Sequence, residues 1–547
     1  MKRQPQVGSR LRNPVAMEAL EPRQLLSNTP ILIGDTPDAD ARSLLYNDSD
    51  GTIVRVTFTH GCAEVSFDQD DVVWNLAGKK AVVEDQADIA TIKLVQSSLK
   101  STLKFKTSMP SEDDSDADEY AWVDCIVGAN LGLGQLQAGK VDIGGGIDID
   151  QGAKVCKIGD VGEAVLDFGD GEKMTFSAGT LDGTDLKFTG TIASIKVDEW
   201  SYGQITAGAV GNVKSVGYFG ASIESDSSIG KITCRQLEGD LTAHAGSIGN
   251  IFVKGVAVAD SQEEEWDFDG GDILSETIYA SDSIGNITLL GGSIGVDDTC
   301  NITAENGDIG NITTKVGKFR TPQGDYWLFP EKYWGWDIHY TQADIGDVVA
   351  NAGGKIGKIS VSGGDCGGTF HAEDKIGGVS VRKSVDVPDR VFMGGDFTST
   401  LEAAEIGNVR VKAGYVEAAL RAGNRLGNVI VEAQTLRVKS QTVIEGYDVD
   451  SYSRRIVLDN TAMQLNIQLG ESSWHGWNHM GTIKLVGVSM TLTGNLYDLL
   501  GEPHIVPKPI TDAMIYSDDE EEFVYEQQVG GPDNLTNNLS LLENQIP

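Results

Sequence analysis

The amino-acid sequence predicts an all-β protein, a single elongated and right-handed parallel β-helix (solenoid) of about 20-residue coils with capped ends and inserted loops. Three observations carry this reading. Glycine is abundant, 66 of 547 residues, while proline is scarce at 14, a combination that separates the chain from disordered linker. A short phrase, Ile-Gly-x-Ile/Val-x-x, recurs at nine places over residues 229–431. Apolar and polar residues alternate around each copy, as in Ile356, Ile359 and Val361, which turns one side of every strand inward.

The copies begin at Ile229, Ile248, Ile284, Ile309, Ile345, Ile356, Ile376, Ile406 and Leu426, in steps of 19, 36, 25, 36, 11, 20, 30 and 20 residues. A step near 20 reads as one coil and a longer step as a coil plus an insertion. A second phrase, apolar-x-Ala, precedes several copies, as at Leu241, Phe370 and Leu420, so each unit reads as strand, turn, Ile-Gly-Asn corner, strand. Glycine suits a corner where φ is positive or two backbones approach closely. The asparagine that follows it (Asn250, Asn286, Asn311, Asn408, Asn428) either stacks its amide from coil to coil or simply tolerates the turn. Ile232, Ile251, Ile287, Ile312, Ile359, Val379, Val409 and Val429 share one place in the phrase and are expected to form a single interior column, because a one-residue slip would turn all of them to solvent. Roughly 20 coils over residues 50–495, at about 4.8 Å each, would give a rod of about 90–100 Å.

Taken in order, residues 1–27 form a basic lead that is expected to be flexible, net +3 in a chain whose total is −38. Residues 28–110 read as an N-terminal cap and first coils, since an uncovered first coil exposes an unpaired edge. Residues 111–495 carry the repeats, with insertions at 260–271 and 318–340. Residues 496–547, with Pro503, Pro507, Pro509 and the acidic run Asp518–Glu522, read as a C-terminal cap followed by an acidic, polar tail.

The charge excludes some functions. A field of −38 repels phosphate backbones, so nucleic acid is not an expected partner. No run reaches the roughly 18 apolar residues of a membrane helix, so no transmembrane segment is expected. The six cysteines include no Cys-x-x-Cys pair, which removes a thiolate zinc knuckle, and their even number permits disulfides without requiring them. Cys234, Cys300 and Cys366 are 66 residues apart but share no phase in the repeat.

Residues 17–27 read MEALEPRQLLS, and this phrase resembles the LEPR-XLL motif of large secreted or surface-attached bacterial proteins. Leu20, Glu21, Pro22, Arg23, Leu25 and Leu26 match the motif, and Gln24 stands at its variable position. The resemblance implies an export or sorting tag on an extracellular or cell-surface β-solenoid, and it implies no catalytic residues. The basic lead itself lacks the apolar stretch of a standard signal peptide.

Insertions are where a repeat scaffold places binding groups. Residues 318–340 hold eight aromatics, and Tyr326, Trp327, Tyr333, Trp334 and Trp336 are candidates for stacking on sugar rings or anchoring a partner; the alternative is a loop folded onto the solenoid flank. The other insertion sets Glu263, Glu264, Glu265, Asp267 and Asp269 around Trp266, hard oxygen ligands that suit Ca²⁺ or simply make a solvated acidic loop. No other cofactor is implied. There is no nucleophile phrase, phosphate loop or dinucleotide fingerprint. The expected function is therefore a non-enzymatic structural or adhesive role outside the cell, with polysaccharide or cell-envelope components as partners. The alternative is a carbohydrate-active β-helix enzyme or glycan-binding module, which a concave acidic groove would favour.

Overall fold

The computed structural model describes residues 30–430 with their side chains, apart from 70–71, 110–117, 257–269, 297, 318–342, 383–395 and 413–415; for the strands at 25–26, 257–259, 266–269, 318–322 and 336–340, for 413 and for the strands beyond 430 it describes the backbone only. Among these residues there is no helix, and 37 strands share one sheet.

The repeating part of that sheet is parallel and divides each coil among three faces. Face 1 has an interior column that runs without a break from Leu103 through Leu136, Cys156, Phe176, Ile195 and Val213 to Ile232, and then through all eight residues the repeat singled out to Val429, whose backbone pairs in register with Ile483. Face 2 has a matching column that includes Ile205, Ile223, Leu241, Ile278 and Ile302. Face 3 consists of two-residue strands and single bridges, through Leu181, Trp200, Phe219, Leu237, Ile273, Ile294, Ile345, Cys366 and Phe397. The three columns meet in one continuous core, in which Phe176, Trp200 and Phe219 pack ring against ring.

Two expectations are corrected. The phrase at Ile345 is not a copy of the face 1 unit: Ile345 bridges Ile294 and Cys366 on face 3, and the coil after Ile309 resumes at Ile356. The same local chemistry serves both corners, because each needs a buried β-branched residue followed by a residue small enough for close backbone approach. The ladder of face 1 contains fifteen strands, from 102–108 to 483–486, which at about 4.8 Å per step is roughly 70 Å, shorter than the 90–100 Å expected. Residues that the estimate counted as coils pair differently. In the N-terminal region strand 53–59 is antiparallel to 43–47 and 102–108, and strand 62–67 is antiparallel to 31–34 and 89–96. In the insertions, 256–259 pairs with 266–269 and 318–322 with 336–340 as antiparallel hairpins. Leu25 and Leu26 form a short strand antiparallel to Trp74 and Val73.

The corners decide the register. Where the chain bends out of strand geometry, a side-chain oxygen of one coil accepts the backbone N–H of the next. Asn250 Oδ1 accepts from Asn286 N, Asn286 Oδ1 from Asn311 N and Asn311 Oδ1 from Lys358 N, at 2.8, 2.8 and 2.7 Å. The asparagines therefore do more than tolerate a turn, and Asn311 Nδ2 also donates to Asn286 Oδ1 at 3.0 Å. A second column has Ser293 Oγ accepting from Asp344 N, Asp344 Oδ1 from Asp365 N and Asp365 Oδ1 from Asp396 N, at 2.9, 2.7 and 2.6 Å. Ser283 and Asp308 do the same ahead of the Ile-Gly pair, and Asp240 ahead of face 2. The glycine of the phrase is needed for close approach, since a Cβ on Gly310 would lie 2.7 Å from the carbonyl carbon of Gly285.

Three substitutions separate these contributions. Ile287→Ala is expected to cost about 2–5 kcal/mol through its cavity, whereas Asn286→Ala loses a corner bond of about 0.5–1.5 kcal/mol. Gly310→Ala should approach the first rather than the second, and urea titration of the three variants orders them. Equal losses for Asn286→Ala and Ile287→Ala would contradict the assignment.

Candidate functional site

The corner between faces 3 and 2 is also where the molecule has an acidic concavity. A cavity of about 500 Å³ opens there, with Glu238, Asp240, Glu276 and Asp298 set around Ile273, Leu274 and Val296. Four successive coils contribute, the first through Gly220 and Ser222. Glycine lets them converge: a Cβ on Gly239 would lie 2.0 Å from the carbonyl oxygen of Ala221, and Gly295 takes φ +68° as the chain turns away. Below the rim, Ser275 is buried and its hydroxyl donates to Gly239 O at 2.7 Å. Asp240 is occupied at both ends, its N–H donating to Ser222 Oγ at 3.2 Å and its Oδ1 accepting from Thr277 N at 2.9 Å. No Lys, Arg or His lines the cavity among the described residues. The arrangement can take up a hydroxyl-rich or cationic group by hydrogen bonding, with an apolar floor beneath.

A second group of carboxylates joins the N-terminal region to the first coils. Asp48 is buried, and its Oδ2 accepts from Trp122 N at 2.8 Å across 74 residues of sequence. Burial and the hydrogen-bonded Asp88 carboxyl beside it push Asp48 up to about 8, so it holds a proton at neutral pH. The adjacent Tyr46 is raised further above its ordinary range by burial and by both aspartates, and its hydroxyl has no partner among the described residues. Asp50 runs the other way: hydrogen bonds from Thr52 and Asp118 outweigh its burial and lower it. Asp344, in the corner column, is raised by burial and by neighbouring Asp365 and Asp272.

The residues singled out from sequence fall outside these places. Tyr326, Trp327, Tyr333 and Trp334, and likewise Glu263, Glu264 and Glu265, lie outside the described residues. Trp336 starts the hairpin strand 336–340, and Asp267 and Asp269 belong to strand 266–269, each described by backbone alone. Among the described residues no group of three or more His, Cys, Asp or Glu is placed to hold a metal ion. The six cysteines are free thiols. Cys234, Cys300 and Cys366 sit on faces 1, 2 and 3 respectively, and burial pushes each up to about 12. Such thiols are unreactive near neutral pH.

No family model, curated protein or solved structure matches the chain. Its chemistry is therefore read from its own geometry. Sequence reading missed both carboxylate groups, because their members are 2 to 70 residues apart at irregular intervals. The available signal was the Asp that precedes a face 2 strand, as in Gly239-Asp240-Leu241.

The Asp48 pair gives a pH dependence. A carboxyl raised in the folded state stabilises it while protonated, so this contribution is complete below about pH 4 and is lost as pH rises through about 8. Thermal melts of the native protein should therefore show stability falling from about pH 4 and levelling off above about pH 8. Asp48→Asn keeps the acceptor for Trp122 and offers Asp88 a permanent donor, so it should flatten that slope and raise stability at pH 9. An unchanged slope would place the proton elsewhere.

Proposed function

We propose that this chain is a non-enzymatic, extracellular or cell-surface β-helix protein with a structural or adhesive role, its repeats forming one continuous right-handed solenoid. The observation that carries this reading is how the polar side chains are used. At corner after corner the Asn, Asp and Ser side chains hold the amide of the next coil, so the repeat spends its polar groups on axial stacking. The resemblance of residues 17–27 to the LEPR-XLL motif supports export and surface attachment of such a rod.

One observation favours a second reading. The concavity bearing Glu238, Asp240, Glu276 and Asp298 is an acidic groove of the kind a carbohydrate-active β-helix enzyme uses. The reactions are separable by assay. Under the structural reading, purified protein releases neither unsaturated uronate nor reducing ends from a panel of acidic and neutral polysaccharides, and antibodies to the repeat label intact cells. Sustained turnover that Glu238→Gln and Asp240→Asn abolish would establish the enzyme instead.

A further inference from the structure

The charge is divided by face. Residues 153–430 contain 40 Asp and Glu, yet none lies in the twelve six-residue segments of face 1 that run from three residues before to two after each column residue from Cys156 to Val429, where an even spread would place about ten; Glu172, Asp308 and Glu405 stand just before three of these segments and Asp198 just after a fourth. The same segments hold eight Lys and Arg, and eight more stand one residue beyond an end. Each segment lies on the next in parallel register, so these cations form a stripe along the axis of a protein whose net charge is −38.

The stripe is not a device for stability. Lys196 lies directly beside Lys214, and Lys355 beside Lys375, and like charges opposed on neighbouring strands are unfavourable. Lys375 reaches Glu405 at 3.2 Å on the corner. Lys157, Lys196, Lys214, Lys315, Lys358 and Arg410 have no ion pair among the described residues, and all six are exposed. Lys231 lies 5.9 Å above the ring of Phe252 in the middle of the stripe. Thr233, Thr288, Thr313 and Ser360 fill the same outward rank, offering hydroxyls between the charges.

We propose that face 1 binds a linear acidic polysaccharide lying along the solenoid axis, which rests on the surface-protein reading above and names its partner. Charge spacing favours this ligand. Eight cations over twelve coils give roughly one per 7 Å, the scale of one acidic group per sugar ring or two, whereas duplex nucleic acid carries one charge per about 1.7 Å and is repelled by the rest of the molecule. A protein partner fits less well, because the cores of protein interfaces are depleted in Lys and Ser and would have to strip water from the ammonium groups. Carboxylates or sulfates on a hydrated chain meet the lysines without that loss, and sugar hydroxyls meet Thr, Ser and Asn.

The test uses the purified full chain and affinity electrophoresis in polygalacturonate, with dextran as the neutral match and poly-L-glutamate as a non-carbohydrate polyanion. Lys196→Gln/Lys214→Gln/Lys231→Gln is compared with Lys79→Gln/Lys80→Gln/Lys100→Gln, which removes the same charge from the N-terminal region; melting curves confirm that both variants are folded. Expected is salt-sensitive binding to polygalacturonate that exceeds binding to poly-L-glutamate, is absent with dextran, weakens about tenfold or more in the face 1 variant and stays near native in the other. No retardation by polygalacturonate, equal retardation by poly-L-glutamate, or equal loss in both variants would overturn the proposal. Uronate release in the same mixture would overturn the non-enzymatic reading while leaving the face 1 surface intact, so the two failures are distinguishable.

Discussion

The hydrogen bond from the backbone amide of one coil to a side-chain oxygen of the coil before it is what the rest of this structure depends on. On the flat faces, strand pairing satisfies the backbone automatically. At a corner the chain leaves strand geometry, and amides there have no strand carbonyl to pair with. Asn286, Asn311, Ser293, Asp344 and Asp365 each supply the missing acceptor, and each is itself held by the residue beneath it. The corner residues thereby fix the axial register, and that register aligns the interior columns.

The same solution has an electrostatic cost. Aspartate is a strong acceptor at a corner, but when coils stack aspartate on aspartate the charges face each other at one coil rise. Asp344 shows the result, with its carboxyl raised by burial and by Asp365 and Asp272. Asparagine performs the same task on the Ile-Gly-Asn corner without charge, and there the neighbouring face carries lysine instead of acid. The partition between acidic corners and a cationic face follows the choice of acceptor at each bend, and it gives a strongly acidic molecule one side that attracts anions.

The described solenoid is joined to other structure at its N-terminal side and along its length. At the N-terminal side antiparallel strands cover the first coils and Asp48 reaches across to Trp122, making a protonated carboxyl part of the junction. Along the rod, the hairpins at 256–269 and 318–340 leave the stack between coils and return to it without breaking the face 1 column, since Ile251 still meets Ile287 and Ile312 still meets Ile359. Insertions thus add surface without disturbing the core, which is how a rigid repeat accommodates binding elements.

The sequence by itself determined the β architecture, the repeat and the interior column from Ile232 to Val429, because each coil repeats the same local requirement: a β-branched residue inward, a glycine for close approach and an amide oxygen to reach the next coil. It also marked the aromatic and acidic insertions by composition. It did not distinguish the two corners that share an Ile-Gly phrase, so Ile345 was assigned to the wrong one; local residue types are alike there, and only the neighbours Ile294 and Cys366 tell them apart. Nor did it bring together Asp48 with Asp88, or Glu238 with Glu276 and Asp298. Insertions of differing length make sequence separation a poor guide to axial neighbours, whereas tertiary stacking restores a constant rise. The lysine stripe was decided in the same way: its cations are scattered, at most two per segment, through the chain, and they become one surface only when every segment is laid on the same face.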